Sequence, residues 1–239
     1  MSSQRPAPAP RICIASHHTS LAALRADVAF LAEVSRPGTL VEVRLDRADD
    51  LSVEAVRGAL AALGPERCVL TFRSPEEGGG NRAAADVDRW SFLRQGPAWG
   101  VAFVDVELRT LRRQPAFAAQ WQALLPTPTG LVVSSHDFVA VPPLAELTRL
   151  RDEAEAFCAD VVKVAVQPAD VVAGTPLLDL LEAPSRRGTP LLGLAMGEAG
   201  LWSRVLAPRF RQPAPFTFAR AAEAPGTAPG QPTAVALRD

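Results

Sequence analysis

The sequence predicts one α/β domain, a single closed (β/α)8 TIM barrel, from three observations. Short β-branched runs alternate with longer amphipathic ones from Arg11 onward. Eight such strand–helix units fit within 239 residues. No interior stretch is long or polar enough to separate two domains. Alternation of this kind gives a parallel sheet covered by helices, and eight units in this length favour closure over an open, doubly wound sheet.

Residues 1–10 (MSSQRPAPAP) lack an apolar h-region, so they read as a disordered, Pro-rich lead-in rather than a signal peptide. The barrel is expected over 11–239. Its first strand is 12–16 (ICIAS), followed by helical periodicity over 20–34. The second strand is 40–46 (LVEVRLD), with a helix over 52–63 that Ser52 can begin and the GP pair at 64–65 ends. The third strand is 68–74 (CVLTFRS), with a helix over 82–94; the fourth is 101–108 (VAFVDVEL). The fifth, 130–136 (GLVVSSH), precedes a helix over 142–157. The sixth is 160–166 (DVVKVAV), and the seventh, 191–196 (LLGLAM), precedes a helix over 198–207. The eighth is 216–221 (FTFARA).

Composition bounds the function. With a net charge of −1 and no basic stripe, the chain does not look like a nucleic-acid binder. No apolar stretch is long enough to span a bilayer, so no membrane association is expected. The three cysteines, Cys13, Cys68 and Cys158, are odd in number and set in apolar runs. They read as small buried hydrophobes in a reducing, cytoplasmic setting. No CxxC or HExxH spacing points to a metal.

Side chains of a strand alternate between two faces. In VEVRLD, Glu42, Arg44 and Asp46 share one face; in FVDVEL, Asp105 and Glu107 do the same. TFRS pairs Thr71 with Arg73, and VSSHD pairs Ser134 with His136. In a barrel these faces line the lumen, and charges near strand C-termini converge where barrel enzymes bind substrates. A buried structural ion-pair layer is the alternative.

Lys163 is the only lysine among 25 basic residues, and it sits in one of the most apolar runs of the chain. Removal from water and nearby guanidiniums would both favour a neutral amine able to attack a carbonyl. An inert lysine paired with Glu42, Asp105 or Glu107 is the alternative, but arginine would serve an ion pair better and cannot form an imine. His136, at the end of the neighbouring strand, is placed to move protons near neutral pH. His17 and His18 follow the first strand in a loop and are expected at solvated or rim positions.

Taken in order, VEVRLD (41–46), FRSPEEGG (72–79), VDVEL (104–108), SSHDF (134–138), VVKVAV (161–166), MGEAGLWSR (196–204), FTFA (216–219) and APGQ (228–231) resemble the successive motifs of type I 3-dehydroquinate dehydratase. The resemblance runs from about residue 12 to 231. It implies a (β/α)8 barrel that dehydrates 3-dehydroquinate to 3-dehydroshikimate, in the shikimate pathway of aromatic amino acid biosynthesis, through a Schiff base. Position by position it implies Lys163 as the imine-forming lysine, His136 as general acid/base and Glu77 as the acid orienting it. It implies Arg204 as the receiver of the substrate carboxylate, a suitable task for a planar fork. Glu42, Arg44, Arg73 and Ser16 fall with the polar residues around the substrate, Phe138 and Met196 with its apolar walls. Thr227 and Gln231 lie on the loop that covers the site, Thr227 standing where the family usually has serine.

No metal or bound cofactor is implied, since the lysine itself supplies the electron sink. The glycines of EGGG (77–80) lack a following GK[ST] and are expected to give backbone mobility beside Glu77. The final segment, PTAVALRD, is shorter than the family's last helix, so a shortened C-terminal helix is expected. One barrel flank is then exposed or covered by another subunit, which admits a homodimer. Two alternatives stand beside the dehydratase: a catalytically silent, ligand-sensing relative, and a class I aldolase-type enzyme using the same lysine chemistry.

Overall fold

All eight expected strands form, and each pairs in parallel with a neighbouring strand. The structure is a computed structural model that describes residues 11–80, 85–222 and 226–238; the expectations for residues 1–10 and for 82–84 lie outside them. The strands are β1 (Arg11–Ala15), β2 (Thr39–Arg44), β3 (Cys68–Thr71) and β4 (Phe103–Glu107). They continue as β5 (Gly130–Asp137), β6 (Val161–Val166), β7 (Leu191–Ala195) and β8 (Phe216–Ala219). Every ladder is parallel, in the order β7-β6-β5-β4-β3-β2-β1-β8. The seam between β7 and β8 is bridged just before β8, where the Leu191 N–H donates to the Gln212 carbonyl at 2.9 Å.

The first helices are α1 (Leu21–Ala26), α2 (Val28–Val34), α3 (Val53–Leu63) and α4 (Asp86–Leu93). They are followed by α5 (Gly96–Trp99), α6 (Leu108–Arg113), α7 (Ala116–Gln122) and α8 (Leu144–Ala156). The last are α9 (Thr175–Glu182), α10 (Trp202–Val205) and α11 (Ala234–Arg238). As expected, Ser52 caps α3 by accepting the Ala55 N–H at 3.1 Å, and Gly64 ends it at φ +84°. The single helix expected over 20–34 is two. Asp27 leaves helical geometry and accepts the Phe30 N–H at 2.9 Å, so it caps α2 and ends α1 together. The helix expected over 198–207 is reduced to one 3-10 turn and the four residues of α10. No helix among the described residues is long and apolar enough to cross a membrane.

Period-two alternation splits the apolar residues into two layers. Ile14, Val41, Val43, Leu70 and Val104 face outward and pack under helix residues such as Leu24, Leu60 and Leu93. A second cluster, including Cys13, Leu40, Val69, Val132, Val161, Leu192 and Phe216, fills the lumen. Leu40, Val69, Val132 and Val161 each lie two residues N-terminal to a polar lumen position, so they form a dry floor beneath Glu42, Thr71, Ser134 and Lys163. Cys13 and Cys68 are fully buried, as expected, whereas Cys158 is exposed. It follows α8 with φ +61°, in the left-handed turn that ends that helix, and this turns it away from the core.

Candidate active site

Above the floor, the lumen is charged on one side and apolar on the other. Strands β2 to β6 contribute Glu42, Arg44, Thr71, Asp105, Ser134 and Lys163, all buried. Ala165, Leu194, Met196 and Phe218 line the opposite wall. The strand C-termini open onto a partly enclosed cavity. Among its lining residues are Lys163, His136, Glu77, Glu42, Arg44 and Arg73. Phe138, Met196, Arg204, Thr227 and Gln231 complete the expected set around it. Ser16 is the exception: it is buried, its hydroxyl accepts the Arg44 N–H at 3.2 Å, and it supports the cavity wall without lining the cavity.

Lys163 stands mid-strand on β6, its Cα opposite Ser134 of β5. Its Nζ donates to Asp105 Oδ2 at 3.0 Å and lies 3.8 Å from Glu42 Oε1. The Phe218 ring centroid is 4.4 Å away, so an aromatic face covers the cation. Of the two surroundings expected for the amine, guanidiniums that favour its neutral form or a pairing with Glu42, Asp105 or Glu107, the strands build the second, with Asp105 nearest and Glu42 beyond it. Burial alone would raise the Asp105 carboxyl, but Arg73 and Lys163 beside it hold it well below the usual carboxylate range. Arg73 reaches the same carboxylate at 2.8 Å, gives its other Nη to Ser134 Oγ at 2.6 Å, and lies 3.7 Å from Glu107. Asp105 is thus the hub between the two cations.

His136 emerges at the top of β5. Its Nδ1 is 2.8 Å from Glu77 Oε2, which also accepts the His136 N–H at 3.1 Å. Burial pushes the imidazole well below its ordinary value, with Arg73 and Lys163 acting in the same direction. Burial and the neighbouring Glu107 push the Glu77 carboxyl up to about 8. Both shifts disfavour an imidazolium–carboxylate pair and favour a neutral ring. Glu77 closes a short turn, Pro75–Glu77, that Glu107 pins by accepting the Ser74 N–H at 2.6 Å.

The glycines after Glu77 are packed, contrary to the mobility expected of them. Gly78 adopts φ +78°, and a Cβ there would collide with the ring of Phe138, itself stacked beside His136 at 6.3 Å. The Gly80 N–H donates to Asp46 Oδ2 at 2.7 Å. Asp46 lies beyond the end of β2, in a short turn, and returns to clamp Arg44 through two hydrogen bonds of 2.9 and 2.7 Å. Burial would raise the Asp46 carboxyl, but the Arg44 fork holds it low.

Arg204 faces the cavity from α10 and is 2% exposed. One Nη donates to the Ala195 carbonyl at 2.7 Å, while its buried Nε has no hydrogen-bond partner. Among the described residues no carboxylate pairs with it, and burial pulls the guanidinium down to about 10. Above it, Gln231 Oε1 accepts the Thr227 N–H at 2.8 Å, and the Gly197 N–H donates to the Pro229 carbonyl at 3.1 Å. The loop after β8 is therefore docked on the turn after β7.

Sequence reasoning missed two supporting residues. Asp46 had been placed on the Glu42 face, but its service to the backbone of Arg73 and Gly80 is a long-range contact. Arg89 reaches from α4 through the barrel wall to Glu107 at 3.1 Å and to the Phe72 carbonyl at 3.2 Å. Its only sequence signal is Asp86 three residues earlier, a common surface pattern.

A sequence model of the family described as type I 3-dehydroquinase matches residues 12–239. The 3-dehydroquinate dehydratase of Desulfotalea psychrophila is 33% identical over 169 residues, 70% of this chain and 70% of that protein. The chloroplastic bifunctional 3-dehydroquinate dehydratase/shikimate dehydrogenase of Arabidopsis thaliana is 30% identical over 200 residues. That match takes in 84% of this chain but 32% of the plant protein, so the chain spans about a third of that relative's length. The crystal structure of 3-dehydroquinate dehydratase from Geobacillus kaustophilus superposes with a TM-score of 0.82 at 25% identity, covering 97% of this chain and 89% of that one.

Proposed function

This chain belongs to the type I 3-dehydroquinase family, and we propose that it dehydrates 3-dehydroquinate to 3-dehydroshikimate through an imine on Lys163. The observation that carries the assignment of residues is one cavity lined by the sole lysine, a histidine–carboxylate pair and a buried arginine lacking a counter-ion. The substrate is a cyclic polyol acid with a ketone. Its carboxylate suits Arg204, whose unsatisfied Nε and burial favour an incoming anion. The ring hydroxyls face the Glu42, Arg44 and Arg73 side, and the hydrocarbon face meets Met196 and Phe138.

Attack on the ketone requires the Lys163 ammonium to pass one proton to the neutral His136, which returns it to the departing oxygen. The amine lone pair then forms the C–N bond, and loss of the carbonyl oxygen as water gives an iminium. Asp105 and Glu42, which held the ammonium, then hold the iminium, so lumen charge is unchanged between the two states. The iminium withdraws electrons from the adjacent carbon. His136, neutral and oriented through Nδ1 by Glu77, takes a proton there with Nε2. The electron pair returns to expel the β-hydroxyl, which leaves as water with a proton delivered by His136. Hydrolysis of the conjugated imine frees the product and restores the amine. The aldolase alternative that the lysine alone allowed gives way to family membership.

The sole lysine gives a direct test. Borohydride added during turnover reduces the imine to a secondary amine. A lysine-specific protease acting on the denatured, untreated chain yields 1–163 and 164–239; the trapped chain should remain whole and carry the mass of the reduced adduct. His136→Ala should still be trapped but turn over about 10²–10⁴-fold more slowly. Lys163→Arg should neither trap nor turn over. Fragments of unmodified mass after substrate and borohydride would remove Lys163 as the nucleophile.

A further inference from the structure

A second cluster of chemistry-bearing side chains lies just beyond β1, outside the lining of the substrate cavity. His17 and His18, expected from the sequence as solvated or rim residues, turn toward α2. Their ring centroids are 4.2 Å apart, and both rings meet the edge of Phe30, at 5.8 and 4.9 Å. The His18 side chain is only 7% exposed, and its Nε2 lies 3.0 Å from Asp27 Oδ2. Asp27 Oδ1 accepts the Phe30 N–H, which fixes the carboxylate and leaves Oδ2 toward the histidines. One ring nitrogen from each histidine and one Asp27 oxygen lie within 4.8 Å of one another.

The helix cap explains Asp27, and Phe30 explains why two tilted rings pack against it. Neither explains the ring nitrogens. Nδ1 of His17 and Nδ1 of His18 are both buried and without a hydrogen-bond partner. A buried polar atom left in that state carries a desolvation cost, and native proteins hold few of them. Each ring keeps one buried nitrogen without a partner, and the carboxylate beside them, anchored by the helix cap, meets only the Nε2 of His18 among the described histidine nitrogens.

We propose that His17, His18 and Asp27 form a binding site for a divalent transition metal ion of the zinc class. Two imidazoles and one carboxylate suit zinc and its neighbours, whereas calcium and magnesium favour all-oxygen sets. In a tetrahedral zinc site the ligand atoms stand about 3.3 Å apart, so side-chain rotation brings the present donors into range. Asp27 is one-third exposed, which leaves the fourth position to water. The Arg47 charge acts on His17 and opposes a cation; the Asp27 carboxylate offsets it. The ion would tie the end of β1 to the N-terminus of α2, beside Ser16 and the Arg44 backbone that it supports. It takes no part in the dehydration.

The test uses the whole chain, stripped with a chelator and freed of it. Calorimetric titration with Zn²⁺ should give one saturable site per chain, and Co²⁺ should produce the visible absorption of a four-coordinate centre. His17→Gln should weaken Zn²⁺ binding by at least about tenfold. So should Asp27→Asn, which keeps the α2 cap because asparagine accepts the same N–H; circular dichroism checks that both variants fold. Zn²⁺ should raise the melting temperature of the parent chain and leave that of both variants unmoved. His136→Ala should bind Zn²⁺ like the parent, and His17→Gln should keep dehydratase activity. Absence of saturable uptake, or uptake unchanged in both ligand variants, overturns the site.

Discussion

Lys163 and Arg204 are both buried cations, yet their surroundings give them opposite chemistry. Lys163 is matched by Asp105, with Glu42 beyond it, and in the proposed mechanism these carboxylates face the nitrogen both before and after the imine forms. Among the described residues Arg204 has one carbonyl partner, an orphaned Nε and no carboxylate; in the proposed mechanism the substrate brings the anion. Arg204→Met should therefore raise stability by about 1–4 kcal/mol in a urea melt, because it removes an uncompensated buried charge. The same change should raise KM about 100-fold through loss of a charge-assisted pair. The Glu77–His136 pair makes a second prediction. In the proposed mechanism His136 acts as a base only when Nδ1–H is donated to an ionised Glu77, and the carboxyl keeps its proton up to about pH 8. In the free enzyme kcat/KM should rise with pH and level off above about 8, and Glu77→Gln should lose that limb along with most activity. The same group enters stability with the opposite sign. Its value is raised from 4.5 to about 8 on folding, so the folded state binds more protons in that window. Its contribution is full below 4.5 and falls as pH rises through 8. Flat kcat/KM across that window would remove the pair as the titrating base.

At the scale of elements, helix α4 does more than cover the outside of the barrel. Arg89 threads between β3 and β4 and, with Thr110, satisfies Glu107, the carboxylate that also pins the Glu77 turn. Arg89→Met keeps the volume but leaves Glu107 short of a buried partner, so it should cost about 3–5 kcal/mol in a urea melt. Reversing the order of cause, Glu107→Gln in the Arg89→Met background should recover part of that loss, since a neutral amide needs no counter-charge. Failure of that recovery would mean the Arg89 contribution is packing alone. The split of the expected 20–34 helix shows why such contacts escape sequence reading. Periodicity runs on through Asp27, while the backbone breaks there because an acidic cap for the next helix outweighs one more helical turn.

Across the whole molecule, the two ends of the β7–β8 seam are fastened by loops rather than by a ladder. Below, Leu191 bridges to the segment before β8; above, the loop 226–231 rests on Gly197. Gly230 sits at φ +68°, and a Cβ there would collide with the Gly197 carbonyl. Gly230→Ala should undock the loop, raise KM severalfold and hasten proteolysis within 226–231, while borohydride trapping at saturating substrate persists. Unchanged KM in that variant would show that the docked loop contributes nothing to substrate retention.

The strands, the closure of eight units into a barrel and the lumen positions of Glu42, Asp105 and Lys163 were legible in the chain. They depend on period-two alternation and local turn chemistry, both of which are written in adjacent residues. The singular lysine was legible for the same reason, since composition needs no coordinates. Glu42, Asp105 and Glu107 were legible as candidate partners of the amine, but which of them it meets was not. Whether Lys163 faces guanidiniums or carboxylates depends on the register between β4 and β6 across an intervening strand, and that register placed Asp105 between it and Arg73. The packed glycines after Glu77, the reach of Arg89, and the meeting of His17 and His18 with Asp27 are likewise contacts between segments, and only tertiary structure decides those. Sequence carries periodicity within an element, whereas the distances that set charge, hydration and ligand geometry arise when elements close on one another.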